Sequence, residues 1–466
     1  MTSAPVKILA SRLADIVGVS NLLTDPAQVA AFEVDAMRPS AAARPGSAEE
    51  VVELARLAVA DKLAVIATGA RTKIGCGMPP ERYDLAIDMT RLDRVIAYDP
   101  GDLTVSVEAG LPLAKLAPRL AGHKQFLPLA VPFADRATIG GTLASGVDTP
   151  LRNFYGTPRD YVLGMEFVTG EGVLAKSGGR VVKNVTGYDL HKVMIGSFGT
   201  LGVIIRANFK TFPLPGLSRG FLASFSEADG ALEMRRRVAE SPLRPATFEI
   251  LDPQMVQIFP RMAPPGQQSL PAPARWFSRS QWCVAIGFEG QEKVIERYTS
   301  ELKALADAAG ATASHVLDDE TRPTVWGWLR EAVPMMLEAS PATSIVRISV
   351  LPAQLRDIFR KTQQIAQANE LPVALLARGV GVCYCAFLPP RRDLESVQRL
   401  AKASKALFEA AEQAGGRAVI ERCPLELKRA VSVWGEPRED FPLMQRVKKV
   451  FDPHRLLSPG RFVGGL

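Results

Sequence analysis

Three short segments in the first half of the chain concentrate glycine and hydroxyl side chains. The first is Thr68-Gly69-Ala70-Arg71-Thr72-Lys73-Ile74-Gly75-Cys76-Gly77, which follows a short apolar run at 63–67. The second is Thr138-Ile139-Gly140-Gly141-Thr142-Leu143-Ala144-Ser145-Gly146, with three glycines and three hydroxyls in nine residues. The third is Gly196-Ser197-Phe198-Gly199-Thr200-Leu201-Gly202-Val203-Ile204. A loop rich in glycine lets backbone N–H groups approach an anion closely. Each charge-assisted hydrogen bond contributes roughly 1.5–3 kcal/mol, so several amides would hold a pyrophosphate. The spacing excludes two common phosphate loops. Gly69 has Ile74 five positions on, which is not a Walker A loop, and no G-x-G-x-x-G follows the strand. One such segment is as readily an ordinary tight connection. Three of them exceed what turn-making needs, and suit an extended dinucleotide laid along a groove.

Thiol and imidazole chemistry is sparse. The chain has five cysteines and four histidines, with no C-x-x-C pair. This excludes the usual iron–sulfur and zinc motifs and a disulfide framework, so no metal site is expected. Cys383 and Cys385 sit two apart in an apolar run and read as core thiols on one side of a strand. The 466 residues suggest two or three domains. Hydrophobic residues make up 47% and charged residues 23%, an ordinary globular balance. A net charge of +7 is weak at this length, and no Lys/Arg run reads as a nucleic-acid arm. The start of the chain lacks a signal-peptide apolar stretch, and no window is apolar enough for a transmembrane helix. The expected compartment is a reducing cytoplasm.

Regular elements must position these segments. Ser47 and Glu50 form a capping-box pattern ahead of Val51, Val52, Leu54, Ala55 and Ala58 at helical spacing. Strands are expected at 63–67, 85–88, 94–98 and 103–108, the last half-buried because apolar and polar residues alternate. Gly170-Glu171-Gly172 joins a hairpin of 161–169 and 173–176. Beyond Pro215, strands are expected at 221–225, 247–251, 282–288, 344–350, 372–378, 381–389 and 417–422. Helices are expected at 227–239, 291–309, 353–369, 392–414 and 440–450. The alternation predicts a second α+β domain with helices on one sheet face. Five prolines between 260 and 273 mark an exposed loop.

In this order the glycine segments resemble the FAD-binding domain of the vanillyl-alcohol-oxidase / p-cresol-methylhydroxylase family. Residues 69–75 match its pyrophosphate loop, Pro132 and 138–146 its second FAD segment with Gly156 and Asp160 following, and 199–204 its G-T-L-G-V-I. A closer likeness, to the FAD-binding subunits of bacterial glycolate oxidases, lies in Gly179-Arg180-Val181-Val182-Lys183-Asn184-Val185-Thr186-Gly187-Tyr188-Asp189-Leu190. Val433-Trp434-Gly435, Phe451-Asp452-Pro453 and residues 459–465 agree with it. Leu23-Thr24-Asp25 and Arg44-Pro45 instead resemble the related catalytic subunits and D-lactate dehydrogenases. Whether the chain works alone is therefore open.

The resemblance implies an α+β protein: a two-part FAD-binding domain of p-cresol-methylhydroxylase type and an α+β cap domain with a mostly antiparallel sheet. The expected boundaries are an N-terminal extension over 1–24, the FAD domain over 25–215, the cap over 216–429, and a returning segment over 430–466. The implied FAD contacts are Thr68, Gly69, Ala70, Arg71, Thr72, Lys73, Gly75, Pro132, Thr138, Gly140, Gly141, Ser145, Gly156, Asp160, Gly199, Thr200, Gly202, Val203 and Ile204. No histidine lies within 64–80, so non-covalent FAD is expected. Lys183 or Arg180 would place positive charge near the flavin, or belong to a solvated hairpin.

The implied chemistry is flavin oxidation of a small 2-hydroxy acid, which needs a carboxylate anchor and a base for the hydroxyl proton. Arg347 and Arg422 resemble arginines in the cap of those FAD-binding subunits and suit the first task by their two-pronged geometry, unless they face solvent. The histidine cluster of the catalytic relatives is missing, and His191, Tyr188 and Glu421 remain as conceivable bases. The resemblance implies partners as well: a catalytic flavoprotein subunit and an iron–sulfur subunit, with the complex at the inner membrane only through them. A self-sufficient dehydrogenase and a structural subunit with vestigial FAD are the competing readings.

Overall fold

The computed structural model describes residues 4–181, 187–259 and 280–466, with side chains from residue 9 onward. Two units result. The first comprises the chain up to Val147, Thr157–Leu214 and Glu436–Leu466; the second comprises Asp148–Gly156 and Pro215–Gly435. Lys183 and the proline-rich loop 260–273 lie outside the described residues.

Three of the expected boundaries differ, the simplest being the end of the cap, which runs to Gly435 rather than 429. The N-terminal residues are not a separate extension. The helix Ala4–Val17 sends Leu13 and Val17 into a core shared with Leu54, Ile87 and Leu457. Segment 148–156 leaves the first unit, because its polar side chains bond to the second. Asn153 donates to the Pro245 carbonyl at 2.7 Å and Tyr155 to Glu289 at 2.6 Å.

In the first unit, Ser47 accepts a hydrogen bond from the Glu50 amide at 3.2 Å and starts the helix Ala48–Asp61. The reciprocal half of the expected box is displaced by one residue, since the Glu50 carboxylate takes the Gly46 amide at 2.7 Å. This helix connects parallel strands of a four-stranded sheet, ordered Leu22–Leu23, Ala41–Ala43, Leu85–Asp88, Val65–Thr68. An antiparallel sheet follows, ordered Val95–Asp99, Thr104–Glu108, Val203–Lys210, Val162–Val168, Leu174–Gly178. Strand Thr104–Glu108 is buried at every position rather than half-buried. It lies between two neighbours, and its Glu108 is neutralised by Arg94 at 2.7 Å.

The second glycine segment is not a loop. Residues Ile139–Ser145 form a short helix that Gly146 ends at φ +58°. A Cβ on Gly146 would stand 3.0 Å from the Gly196 Cα, so glycine permits the second and third segments to touch. The Gly196 and Phe198 amides donate to the Leu143 and Ala144 carbonyls at 2.9 and 2.8 Å.

The second unit is one eight-stranded antiparallel sheet, ordered Ala313–Leu317, Leu217–Phe225, Trp282–Gly290, Thr247–Leu251, Val373–Arg378, Val382–Phe387, Ser344–Ser349, Arg417–Arg422. Each half follows a strand–helix–strand–strand–helix–strand order, with the helix Pro253–Ile258 added after the second strand of the first half, and the halves join where Glu249 faces Arg378 across the seam. Helices cover both faces, not one. The repeat helices, such as Leu355–Ala368, lie on the side of Trp282, which stacks on Phe359 at 5.2 Å. Three further helices, Pro253–Ile258, Arg322–Arg330 and Ala332–Glu338, pack Met255, Trp328 and Met335 against Leu222, Ala285 and Tyr384 on the other side. Cys383 and Cys385 are buried toward the repeat helices, with sulfurs 3.6 Å apart.

Candidate functional site

The strand Val65–Thr68 delivers the first glycine segment to a groove in the first unit that encloses about 790 Å³ of empty space, part of it open to solvent. All three segments contribute to its lining. Thr68, Gly69, Ala70, Arg71, Thr72, Lys73, Thr138, Gly140, Gly141, Ser145, Gly199, Gly202, Val203 and Ile204 line it. Gly75, Pro132, Gly156, Asp160 and Thr200 do not line it. Gly156 ends the helix Arg152–Tyr155, and Asp160 caps its own turn by accepting from the Thr157 amide and hydroxyl at 2.7 and 2.8 Å. Thr200 donates inward to the Ser197 carbonyl at 2.7 Å, and Pro132 is buried.

Sequence reasoning missed Met89, Ala109, Phe198 and Arg461 in this lining. Arg461 comes from the returning tail and donates to the Ile74 and Cys76 carbonyls, both at 2.5 Å. It thereby holds the first segment from within the wall of the groove. The tail runs beside the strand as well, since Val65 donates to the Leu456 carbonyl and accepts from the Ser458 amide, each at 2.8 Å. The motif at 459–465 was a visible signal, although its partners in sequence were not.

The lining fits a dinucleotide carrying a diphosphate. It holds Arg71, Lys73 and Arg461 and no carboxylate. Thr68 Oγ1 and Arg71 Nη1 are buried there with no hydrogen-bond partner among the described residues. Arg71 keeps φ at +59°, an unusual value for a side chain with a Cβ, while its guanidinium stacks 4.4 Å from the Phe32 ring. A Cβ on Gly69 would collide with the Thr138 hydroxyl, so the close contact of first and second segments requires glycine.

The three conceivable bases are dispersed. His191 is buried, with Nδ1 3.0 Å from the Ser177 hydroxyl, and burial holds its pKa below the ordinary value. Tyr188 is 90% exposed. Glu421 belongs to the second unit. There a β-bulge occurs, since Arg422 faces Ile345 and Ile420 faces Val346, leaving Glu421 as the extra residue. Its carboxylate meets Arg347 Nε at 3.0 Å. The Arg347 Nη nitrogens carry no hydrogen bond among the described residues, and the pair is partly exposed. Arg422 ends its strand one position beyond Glu421.

Deeper on the same sheet lies a charge cluster that sequence reasoning missed. Arg378 donates to Glu249 Oε1 at 2.8 Å and to Asp148 Oδ2, and Asp148 also takes Arg152 at 3.1 Å. The Arg378 guanidinium sits 5.5 Å from the Tyr384 ring centre. Burial pushes Asp148 up, but Arg378 and Arg152 prevail and hold it below the usual carboxylate range. Burial dominates at Glu249 and raises it to about 7. A signal existed, because Glu249 lies inside the mostly apolar strand Thr247–Leu251 and Arg378 ends the apolar run 373–377.

Among the described residues, no group of three or more His, Cys, Asp or Glu is placed to hold a metal ion. Among the same residues no helix is long and apolar enough to cross a membrane.

Comparison with known proteins agrees with this architecture. Residues 39–178 match a model described as an FAD binding domain, and residues 215–462 match one described as FAD linked oxidases, C-terminal domain. The chain is 23% identical over 425 residues to glycolate oxidase subunit GlcD of Bacillus subtilis, covering 91% of this chain and 88% of that one. It is 28% identical over 457 residues to D-2-hydroxyglutarate dehydrogenase of Xanthomonas citri pv. viticola, covering 94% and 93%. It is 33% identical over 198 residues to glycolate oxidase subunit GlcE of Escherichia coli, covering 42% and 55%. The crystal structure of p-cresol methylhydroxylase with substrate bound shares the fold, with a TM-score of 0.77 at 16% identity, covering 99% of this chain and 97% of that one.

Proposed function

Because this chain belongs to the FAD-linked oxidases, an FAD-dependent oxidoreductase family, we propose that it oxidises a small 2-hydroxy acid to the 2-oxo acid. FAD, held without a covalent bond in the groove lined by all three glycine segments, supplies the hydride acceptor. Arg71, Lys73 and Arg461 offer the positive charge for its diphosphate, and Thr68 and the segment backbones offer donors.

The observation that carries the substrate class is the Arg347–Glu421 pair. Arg347 spends its Nε edge on Glu421 and presents its Nη pair, a fork suited to a carboxylate. Glu421, paired with Arg347, would be the base that takes the hydroxyl proton of an acid held there. Arg422, the neighbouring position, is a second anchor for the same carboxylate. Names of the relatives support the class, since glycolate and 2-hydroxyglutarate are both 2-hydroxy acids.

The chain works as the FAD-binding subunit of a glycolate-oxidase-like complex, with a catalytic flavoprotein subunit and an iron–sulfur subunit. The local likeness to GlcE over the FAD-binding portion supports this. A self-sufficient dehydrogenase is the second reading, favoured by likeness to D-2-hydroxyglutarate dehydrogenase along 94% of the chain. Turnover of glycolate, D-lactate and D-2-hydroxyglutarate with an artificial acceptor separates the two. Activity that needs co-expressed neighbouring subunits supports the complex, and full activity of the chain alone supports the second reading.

A further inference from the structure

The second unit holds another cavity, away from the Arg347–Glu421 pair. Its helix Ala228–Glu240 carries three consecutive arginines. Arg236 is paired with Glu233 and Glu240, at 2.7 and 2.6 Å, and Arg237 with Glu233 at 2.8 Å. Arg235 has no carboxylate partner among the described residues, and its Nε is buried without an acceptor. It lines a pocket of about 200 Å³ that opens to solvent, room for a small ligand only.

Arg244, the second cation of the wall, is braced in place. It donates to the Ser241 and Leu243 carbonyls at 2.9 and 2.7 Å, and its amide donates to the Tyr298 hydroxyl at 2.7 Å. The rest of the wall is mostly apolar. Val238 and Leu243 are buried, and Phe154 projects with 58% of its surface exposed. No Asp or Glu lines the pocket. Two guanidiniums without a facing carboxylate, above an apolar floor, ask for an anion with an apolar body.

We propose that this pocket is a second binding site, taking a small organic acid whose carboxylate pairs with Arg235 and whose apolar body lies against Phe154. Its wall adjoins the buried charge cluster along three segments. Phe248 precedes Glu249, Gly379 follows Arg378 and Asn153 follows Arg152, while strand alternation puts Phe248 and Glu249 on opposite sheet faces. An occupant therefore contacts the strands of the cluster from behind.

Titration calorimetry of the purified holoprotein with benzoate tests the proposal. Saturable binding is expected, weakened at least ten-fold in Arg235→Met and in Phe154→Ser, and retained in Arg347→Met, which removes only what benzoate binds at the carboxylate anchor. The visible flavin spectrum, identical in all four proteins, verifies that each is folded. Inorganic phosphate, which lacks the apolar body, is expected to bind more weakly than benzoate. Any of three results overturns the proposal: no saturable benzoate binding, wild-type binding by Arg235→Met, or phosphate binding as tight as benzoate. Loss confined to Arg347→Met overturns it as well and places benzoate at the carboxylate anchor, so this test fails separately from the functional reading.

Discussion

Lys448 and Thr200, 248 positions apart in the chain, are joined by a 2.8 Å hydrogen bond from the buried ammonium to the Thr200 carbonyl oxygen. The same ammonium pairs with buried Asp452 at 2.7 Å and donates to the Leu457 carbonyl at 3.0 Å. Asp452 in turn accepts the Leu456 and Leu457 amides at 3.1 and 2.8 Å. One cation thus ties the third glycine segment to the tail, whose Arg461 holds the first.

Removing that cation leaves Asp452 charged and buried. Breaking a buried pair by deleting one partner costs about 3–5 kcal/mol. In Lys448→Met the melting temperature is expected to fall by roughly 6–20 °C, given 2–4 °C per kcal/mol for a unit of this size. Retention of FAD through gel filtration falls with it. Replacing both partners, Lys448→Met with Asp452→Leu, recovers part of the loss. A single variant that melts with the wild type would contradict this role.

Gly69→Ala tests the groove directly. Its new methyl would overlap the Thr138 hydroxyl and stand 3.1 and 3.2 Å from that side chain's Cβ and Cγ2, so Thr138 must shift to admit it. FAD affinity, measured by quenching of flavin fluorescence, is expected to fall at least ten-fold with little change in the melting temperature of the apoprotein. Unaltered affinity would separate this segment from the cofactor.

Glu249 makes stability depend on pH. Its pKa rises from 4.5 to about 7 on folding, so between those values the folded chain keeps a proton that the unfolded chain has released. Stability therefore falls as pH rises through this window. Asp252, also raised to about 7 by burial, acts in the same sense. Thermal melts of wild type and Glu249→Gln at about pH 5 and pH 8 are the comparison. The variant is expected to lose less stability toward pH 8, while equal slopes would assign the dependence to other groups.

The absence of histidine at 64–80 carries a prediction of its own. Acid or heat denaturation should release the flavin into the supernatant, whereas flavin bands retained in the pellet would show a covalent link.

The glycine segments and most strands were legible because their signals are local: composition, alternation, and turn residues at fixed offsets. Strand Leu85–Asp88 falls at its expected bounds, and helix Ala48–Asp61 starts where Ser47 points. The short helix Ile139–Ser145 was not legible, because two glycines disfavour a helix that packing supplies, as the close approach of Gly140 to Ala109 shows. The charge cluster depends on pairing across a seam, with Glu249 and Arg378 129 positions apart, which no local pattern encodes. Arg347 was legible as an arginine in an apolar strand, while its orientation came from the bulge at Glu421.

The proposed reaction, oxidation of a 2-hydroxy acid bound at Arg347, would reduce the flavin. Mixing the purified flavoprotein anaerobically with glycolate, D-lactate or D-2-hydroxyglutarate, and following the visible flavin absorption, tests it most directly. Bleaching by at least one of these acids is predicted. In Arg347→Met the acid concentration needed rises roughly 10- to 100-fold, in keeping with the loss of a charge-assisted contact of about 1.5–3 kcal/mol. A flavin that dithionite bleaches but no 2-hydroxy acid does, in the chain alone and in its complex, would rule out this reaction.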